Sequence, residues 1–61
     1  MNNHDFNIIN QLVEEQKSLW RIEKHYIEEA RSEEEGEMWK KLRDQKKIII
    51  EHLKEMSKDC L

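Results

Sequence analysis

Residues 6–30 read FNIINQLVEEQKSLWRIEKHYIEEA, and a seven-residue apolar repeat runs through them in alternating steps of three and four. The positions of this first stripe are Phe6, Ile9, Val13, Gln16, Trp20, Glu23, Ile27 and Ala30. A second stripe follows the same spacing at Met38, Leu42, Gln45, Ile49, His52 and Met56. Such spacing is typical of the contact seam between packed α-helices. The sequence therefore predicts two amphipathic helices.

The composition supports long, exposed helices. Charged residues make up 41% of the 61-residue chain, proline is absent and Gly36 is the only glycine, so the turn residues that a β fold requires are missing. The predicted fold class is all-α, a single antiparallel two-helix hairpin over residues 1–61. Helix one is expected at about 5–31 with Asn3 or Asp5 as its N-cap, the turn at about 32–36, and helix two at about 37–58.

A flank of further apolar residues widens both stripes. Its members are Ile8, Leu12, Leu19, Ile22 and Tyr26 in the first half and Trp39, Ile48, Ile50 and Leu53 in the second. One hairpin cannot cover stripe and flank together, so we expect two copies to pair into a dimeric four-helix bundle. The residues expected in its core are Ile9, Val13, Trp20, Ile27, Leu42, Ile49, Leu53 and Met56.

The position of the turn decides which residues face each other. Ser32 and Glu35 fit a capping box that starts helix two, while Gly36 fits a residue just past the end of helix one. A turn centred near Glu34 places Glu23 opposite Gln45 and Gln16 opposite His52. A turn centred nearer Ser32 places Glu23 opposite Leu42 and His52 opposite Val13. We prefer the first register, because it pairs polar with polar and leaves no buried polar group without a partner.

The polar interruptions of the stripes have two interpretations. In the first, Gln16, Glu23, Gln45 and His52 fix the register and the oligomeric state, as single polar seam residues do in coiled coils. In the second, they contribute to a metal site in the bundle core, because inward carboxylates and imidazoles are how helical bundles hold iron and other divalent metals. The candidate ligands are Glu23 and His52, with help from His25, which also has Glu29 four residues on.

Several classes of function lack support in the sequence. The net charge is −3 and no long basic run exists, so a nucleic-acid partner is not expected. No signal-peptide pattern and no membrane-spanning apolar run are present, so we expect a soluble cytoplasmic protein. Cys60, the only cysteine, cannot form an internal disulfide. No nucleophilic triad and no glycine-rich phosphate loop can be assembled, which makes an enzyme the less favoured interpretation.

Two segments, LWRIEKHYIEEA (residues 19–30) and EMWKKLRDQKKIIIEHLKEM (residues 37–56), carry a family resemblance. They resemble short ferritin-like helical hairpins of the rubrerythrin-like and encapsulated-ferritin types, mainly through Trp20, the run from Glu23 to Tyr26 and the segment from Arg43 to Leu53. The resemblance implies paired hairpins that bind iron through inward carboxylates and a Glu-x-x-His motif. That motif is absent, since Lys46 and Ile49 stand at the aligned positions.

The function expected from these observations is that of a small self-associating bundle, a structural or protein-interaction module without catalysis or cofactor. Its partner would be a second copy of itself, and another protein could dock on its acidic faces. The alternative is a ferritin-like, metal-binding oligomer with ligands in the bundle core.

Overall fold

The computed structural model describes residues 2–60 and confirms the predicted all-α hairpin. Helix α1 spans Asn3–Arg21 and continues as one π-helical segment, Ile22–Tyr26; after a turn, helix α2 spans Glu33–Ser57 and ends in a 3-10 turn, Lys58–Cys60. Within residues 2–60 there is no strand. The hairpin is a rod with Cα extents of 44 × 15 × 13 Å. None of the helices described is long and apolar enough to span a bilayer.

Helix α1 begins earlier than expected because Asn2, not Asn3 or Asp5, is its N-cap. Asn2 has extended backbone angles, and its side chain accepts a hydrogen bond from the backbone N–H of Asp5 at 2.8 Å. This bond satisfies one of the backbone donors left free in the first helical turn. The Asp5 carboxylate lies in the same turn, where the positive end of the helix dipole favours negative charge.

Helix α2 begins at Glu33 rather than at about residue 37, because Ser32 caps it. The Ser32 hydroxyl accepts from the backbone N–H of Glu35 at 3.1 Å, as expected for a cap. The Glu35 carboxylate, however, accepts from the N–H of Arg31 rather than of Ser32, so the reciprocal bond of a capping box lies one residue off. Gly36 does not end helix one. It lies inside α2 and has no positive φ.

The π-helical segment ends helix one sooner than the expected position near Arg31. Here the N–H of Ile27 donates to the carbonyl of Ile22 at 3.1 Å, a bond spanning five residues. A π segment has more residues per turn than an α-helix, so it shifts the phase of every later side chain. Tyr26 thereby packs against Trp39 across the hairpin, with ring centroids 4.9 Å apart.

The hairpin seam is formed by the flank and not by the stripes. The most buried side chains are Ile22 at 1%, Ile50 at 5% and Leu53 at 7% exposure. The half-buried seam positions of α1 are Ile8, Leu12, Glu15 and Leu19, and those of α2 are Trp39, Leu42, Arg43, Lys46 and Ser57. Most first-stripe residues follow these α1 positions by one residue, and most second-stripe residues precede the α2 positions by one residue. Both stripes are therefore displaced from the seam, although Ile9 and Leu42 are stripe members that are themselves half-buried there.

The preferred facing of polar residues is wrong for the same reason. Gln16, Glu23, Gln45 and His52 are all exposed in the hairpin, so it contains no buried Glu23/Gln45 or Gln16/His52 layer. The pair of Tyr26 with Trp39 and the approach of Gly36 to Ala30 fit the register with the turn centred near Ser32 better than the preferred one. The pairing of polar residues does not determine the register, because these four side chains are exposed in the hairpin and water satisfies their hydrogen bonds.

The expected core residues divide accordingly. Leu53 is buried, and Ile9, Ile27 and Leu42 are half-buried. The remaining four are exposed in the single hairpin: Val13, Trp20, Ile49 and Met56.

Candidate interaction surface

The first stripe forms one exposed apolar surface, which we call the Trp20 face and define by Phe6, Ile9, Val13, Gln16, Trp20 and Glu23. Phe6 is 56% exposed, Val13 42% and Trp20 55%. These three are spaced seven residues apart, so they line up along one side of α1. The rings of His25 and Trp20 contact each other in a T-shaped arrangement, with ring centroids 5.2 Å apart and planes at 72°.

A groove beside Trp20 shows which part of α2 shares this face. The groove has a volume of about 270 Å³ and an apolar floor of Leu19 and Ile50. Its remaining lining is Gln16, Trp20, Glu23, Lys24 and Lys54. Lys54 follows the seam residue Leu53, just as Trp20 follows Leu19. In an antiparallel pair of right-handed helices, the residues that come one position after a seam residue lie on the same side of the pair, whichever helix they belong to. Lys40 follows Trp39 and Lys47 follows Lys46, so both lie on the same side as Lys54.

The second stripe lies on the opposite side of the hairpin, because its members precede the seam residues of α2. We call it the Met56 face and define it by Met38, Gln45, Ile49, His52 and Met56. Met38, Ile49 and Met56 are 44–50% exposed. The α1 residues that precede seam positions, such as Gln11 and Glu14, are polar and border this face. One hairpin thus presents two apolar faces that point in opposite directions.

The three candidate metal ligands are all exposed. Glu23 lies at the Trp20 groove, His25 packs on the Trp20 indole, and His52 belongs to the Met56 face. Glu23 and His52 are on opposite sides of a single hairpin, so only a second chain could bring such side chains together. The metal site built from them stays a prediction, and nothing in the geometry of the single chain assembles it.

An ion pair that the sequence reasoning missed lies in the middle of the seam. The Lys46 ammonium donates to a Glu15 carboxylate oxygen at 2.7 Å, and the two side chains are only 19% and 14% exposed. Gln11 donates to the other Glu15 oxygen at 2.9 Å. The bond from Lys46 holds the pKa of Glu15 below its usual value of 4.5, against partial burial, which acts to raise it. Lys46 and Glu15 therefore neutralise each other across the helices.

The first turn of α1 and the 3-10 turn after α2 lie close together and bring together His4, Asp5 and Cys60. One ligand atom from each lies within 4.8 Å of the others, and the His4 ring contacts the Asp5 carboxylate at 3.2 Å. His4 is 80% exposed. Desolvation and the Asp5 carboxyl raise the pKa of the Cys60 thiol above its usual value, which further disfavours the reactive thiolate. Sequence spacing gives no sign of this group, since only the hairpin topology joins its members.

The turn end of the hairpin is strongly acidic. Residues 28–37 contain Glu28, Glu29, Glu33, Glu34, Glu35 and Glu37, and their only basic residue is Arg31. The glutamates at 33–35 lie in the first turn of α2, where the helix dipole favours them. Charge is thus concentrated at one end of the rod.

Comparison with known proteins adds no relative. No protein-family model, no curated protein and no solved structure matches this chain.

Proposed function

We propose that this chain is a self-associating helical module whose hairpins pair into a four-helix bundle and that it serves as a structural or protein-interaction component. The observation that carries the proposal is the balance between buried and exposed apolar residues. Among residues 2–60, three apolar residues are buried, whereas eight large hydrophobic side chains are 36% or more exposed. A hairpin with so small a core is stabilised when a second copy covers those side chains.

The arrangement of the exposed residues supports pairing over mere surface scatter. Single exposed apolar residues are ordinary on soluble proteins, but contiguous exposed apolar patches are associated with interfaces. On the Trp20 face, Phe6, Val13 and Trp20 lie in one line along one helix, with the half-buried Ile9 between the first two and Gln16 between the last two. Aromatic residues are also enriched in the central parts of protein interfaces.

The test is the mass of the protein in solution. Sedimentation equilibrium at micromolar concentration should give twice the chain mass of 7.6 kDa. A chain that sediments as a monomer up to about 100 µM would exclude the proposal, because an interface that weak could not stabilise the hairpin.

Metal analysis checks the ferritin-like alternative independently. Protein purified without chelator should contain no stoichiometric iron, zinc or manganese, and its melting temperature should not change when metal is added. Bound metal that is lost in Glu23→Ala and retained in Glu14→Ala would favour the alternative instead.

A further inference from the structure

We propose that two copies pair antiparallel through the Trp20 face, with the two-fold axis passing between Val13 and Gln16. This inference rests on the proposed self-association and identifies the surface and the direction of pairing. The partner is a second copy of this chain.

The Trp20 face is favoured over the Met56 face by its shape and composition. Its two aromatic residues, Phe6 and Trp20, are each more than half exposed and flank Val13. The groove beside Trp20 has an apolar floor that can receive side chains from a partner. The Met56 face has no phenylalanine, tyrosine or tryptophan. Polar residues interrupt both faces, so the difference lies in the aromatic residues.

Charge determines the direction. Parallel pairing would place two acidic turns side by side, each with six glutamates and one arginine in residues 28–37. Antiparallel pairing separates them by most of the 44 Å length of the rod, several times the Debye length of about 8 Å at physiological salt. Each acidic turn, with six acidic residues and one basic residue, then lies beside the partner's opposite end. That end is less acidic, because Lys54 and Lys58 pair there with Glu51 and Glu55.

The spacing of the face fits such a two-fold axis. From Phe6 to Glu23 its steps are three, four, three, four, three, which read the same in reverse, so an antiparallel copy matches it position for position. Trp20 then lies opposite the partner's Ile9, and Val13 opposite the partner's Gln16. Glu23 lies at the N-terminal turn of the partner's α1, where negative charge is stabilised.

This register also gives Gln16 a role. Its amide, which donates and accepts hydrogen bonds, lies next to the two-fold axis and close to the amide of the partner's Gln16. Two amides that bond across the axis satisfy each other in one register only, which is how a polar residue in an apolar seam specifies an assembly.

The size of the surface is adequate. The 19 residues of α1 extend about 28 Å at 1.5 Å per residue. A standard interface takes about 800 Å² from each partner, which is roughly a sixth of the 4912 Å² accessible surface of the hairpin. One face along most of the rod supplies an area of that order.

Single cysteines in a Cys60→Ser background test both face and direction. Under mild oxidation, Gln16→Cys should form a covalent dimer, because residue 16 lies about one helical turn from its own copy. Phe6→Cys should stay unlinked, because its copy lies roughly 26 Å away along the axis, beyond the Cα separation of about 7 Å that a disulfide spans. Ile49→Cys on the Met56 face should stay unlinked as well.

Each other result overturns the inference in a recognisable way. Linking of Phe6→Cys indicates parallel pairing, and linking of Ile49→Cys without Gln16→Cys indicates that the Met56 face pairs. A wild-type dimer in which neither Gln16→Cys nor Val13→Cys links excludes the Trp20 axis but leaves self-association standing. A monomeric wild-type chain removes the proposed function itself.

Discussion

The ion pair between Glu15 and Lys46 joins the two helices at a seam that is otherwise mainly apolar. Its contact is short, at 2.7 Å, and both side chains are mostly buried. Such a pair contributes little over a well-packed apolar pair. Loss of either partner is different, because it leaves a poorly solvated charge without compensation. The pair therefore specifies which positions face each other.

We predict that Glu15→Gln destabilises the hairpin by about 2 kcal/mol at pH 7, because Lys46 loses its carboxylate. Urea unfolding followed by circular dichroism measures this. The control is Glu14→Gln, which removes a neighbouring carboxylate paired with Lys17 at 3.6 Å on the surface, where the expected change is within about 0.5 kcal/mol. Equal effects of the two variants would contradict a structural role for the pair.

The lowered pKa of Glu15 predicts a dependence of stability on pH. The folded state holds this pKa below the usual 4.5, so the folded state binds fewer protons than the unfolded state in this range. The stabilisation is complete above about pH 4.5 and is lost as the pH falls through the lowered folded pKa. Unfolding free energies of Glu15→Gln should therefore fall less steeply than those of the wild type below pH 4.5, and parallel curves would refute the assignment.

At the scale of the helices, the cap of α2 determines where the turn ends. Replacing Ser32 by alanine removes the acceptor for the Glu35 N–H, and we expect a loss of about 1 kcal/mol. Ser18→Ala, inside α1, should be neutral or slightly stabilising, since alanine is the better helix former. Thermal denaturation compares the two variants. A Ser32→Ala protein as stable as the wild type would mean that α2 starts elsewhere.

Gly36 provides a second test of the start of α2. A Cβ at this position would lie 3.8 Å from the Cβ of Ala30, an ordinary van der Waals contact. Because Gly36 is helical, we predict that Gly36→Ala stabilises the protein by about 0.5–1 kcal/mol. A loss of stability would instead support the interpretation of Gly36 as the residue that ends helix one with a left-handed backbone.

The helices and the Ser32 cap could be predicted from the sequence, but the face that each helix turns to the other could not. Apolar residues occupy adjacent columns on both helices, as in Ile8–Ile9, Leu19–Trp20 and Ile49–Ile50. Periodicity alone does not rank two adjacent columns. Glu15 and Lys46 are charged residues within the line that forms the seam, so the hydrophobic pattern argues against burying that line. Their opposite charges favour the same line as the seam once the two helices are placed antiparallel.

The π-helical segment is a second feature that the apolar repeat does not predict. Its extra residue per turn is not visible in the pattern, and it moves Ile27 and Ala30 out of phase with the earlier stripe. Residues near the turn therefore have contacts that a uniform repeat does not predict, such as that of Tyr26 with Trp39. The exposure of Gln16, Gln45 and His52 has the first cause and not this one, because the flank rather than the stripe forms the seam on both helices.

At the scale of the whole molecule, self-association links stability to concentration. A dimer that unfolds to separate chains gains stability by mass action, about 2.7 kcal/mol for a hundredfold rise in concentration. For a dimer of this size we expect the melting temperature to rise by roughly 10 °C between about 5 and 500 µM. Circular dichroism in cells of different path length gives the measurement.

Val13→Glu should remove this dependence, because it places two carboxylates beside the proposed two-fold axis in a desolvated interface. Its matched control is Ile48→Glu, which introduces the same side chain at a position that is 61% exposed and belongs to neither face. That variant should keep the concentration dependence of the wild type. If both variants behave alike, the Trp20 face is not the interface. If the wild type melts at one temperature throughout the range, the hairpin is stable alone and its exposed apolar faces require another explanation.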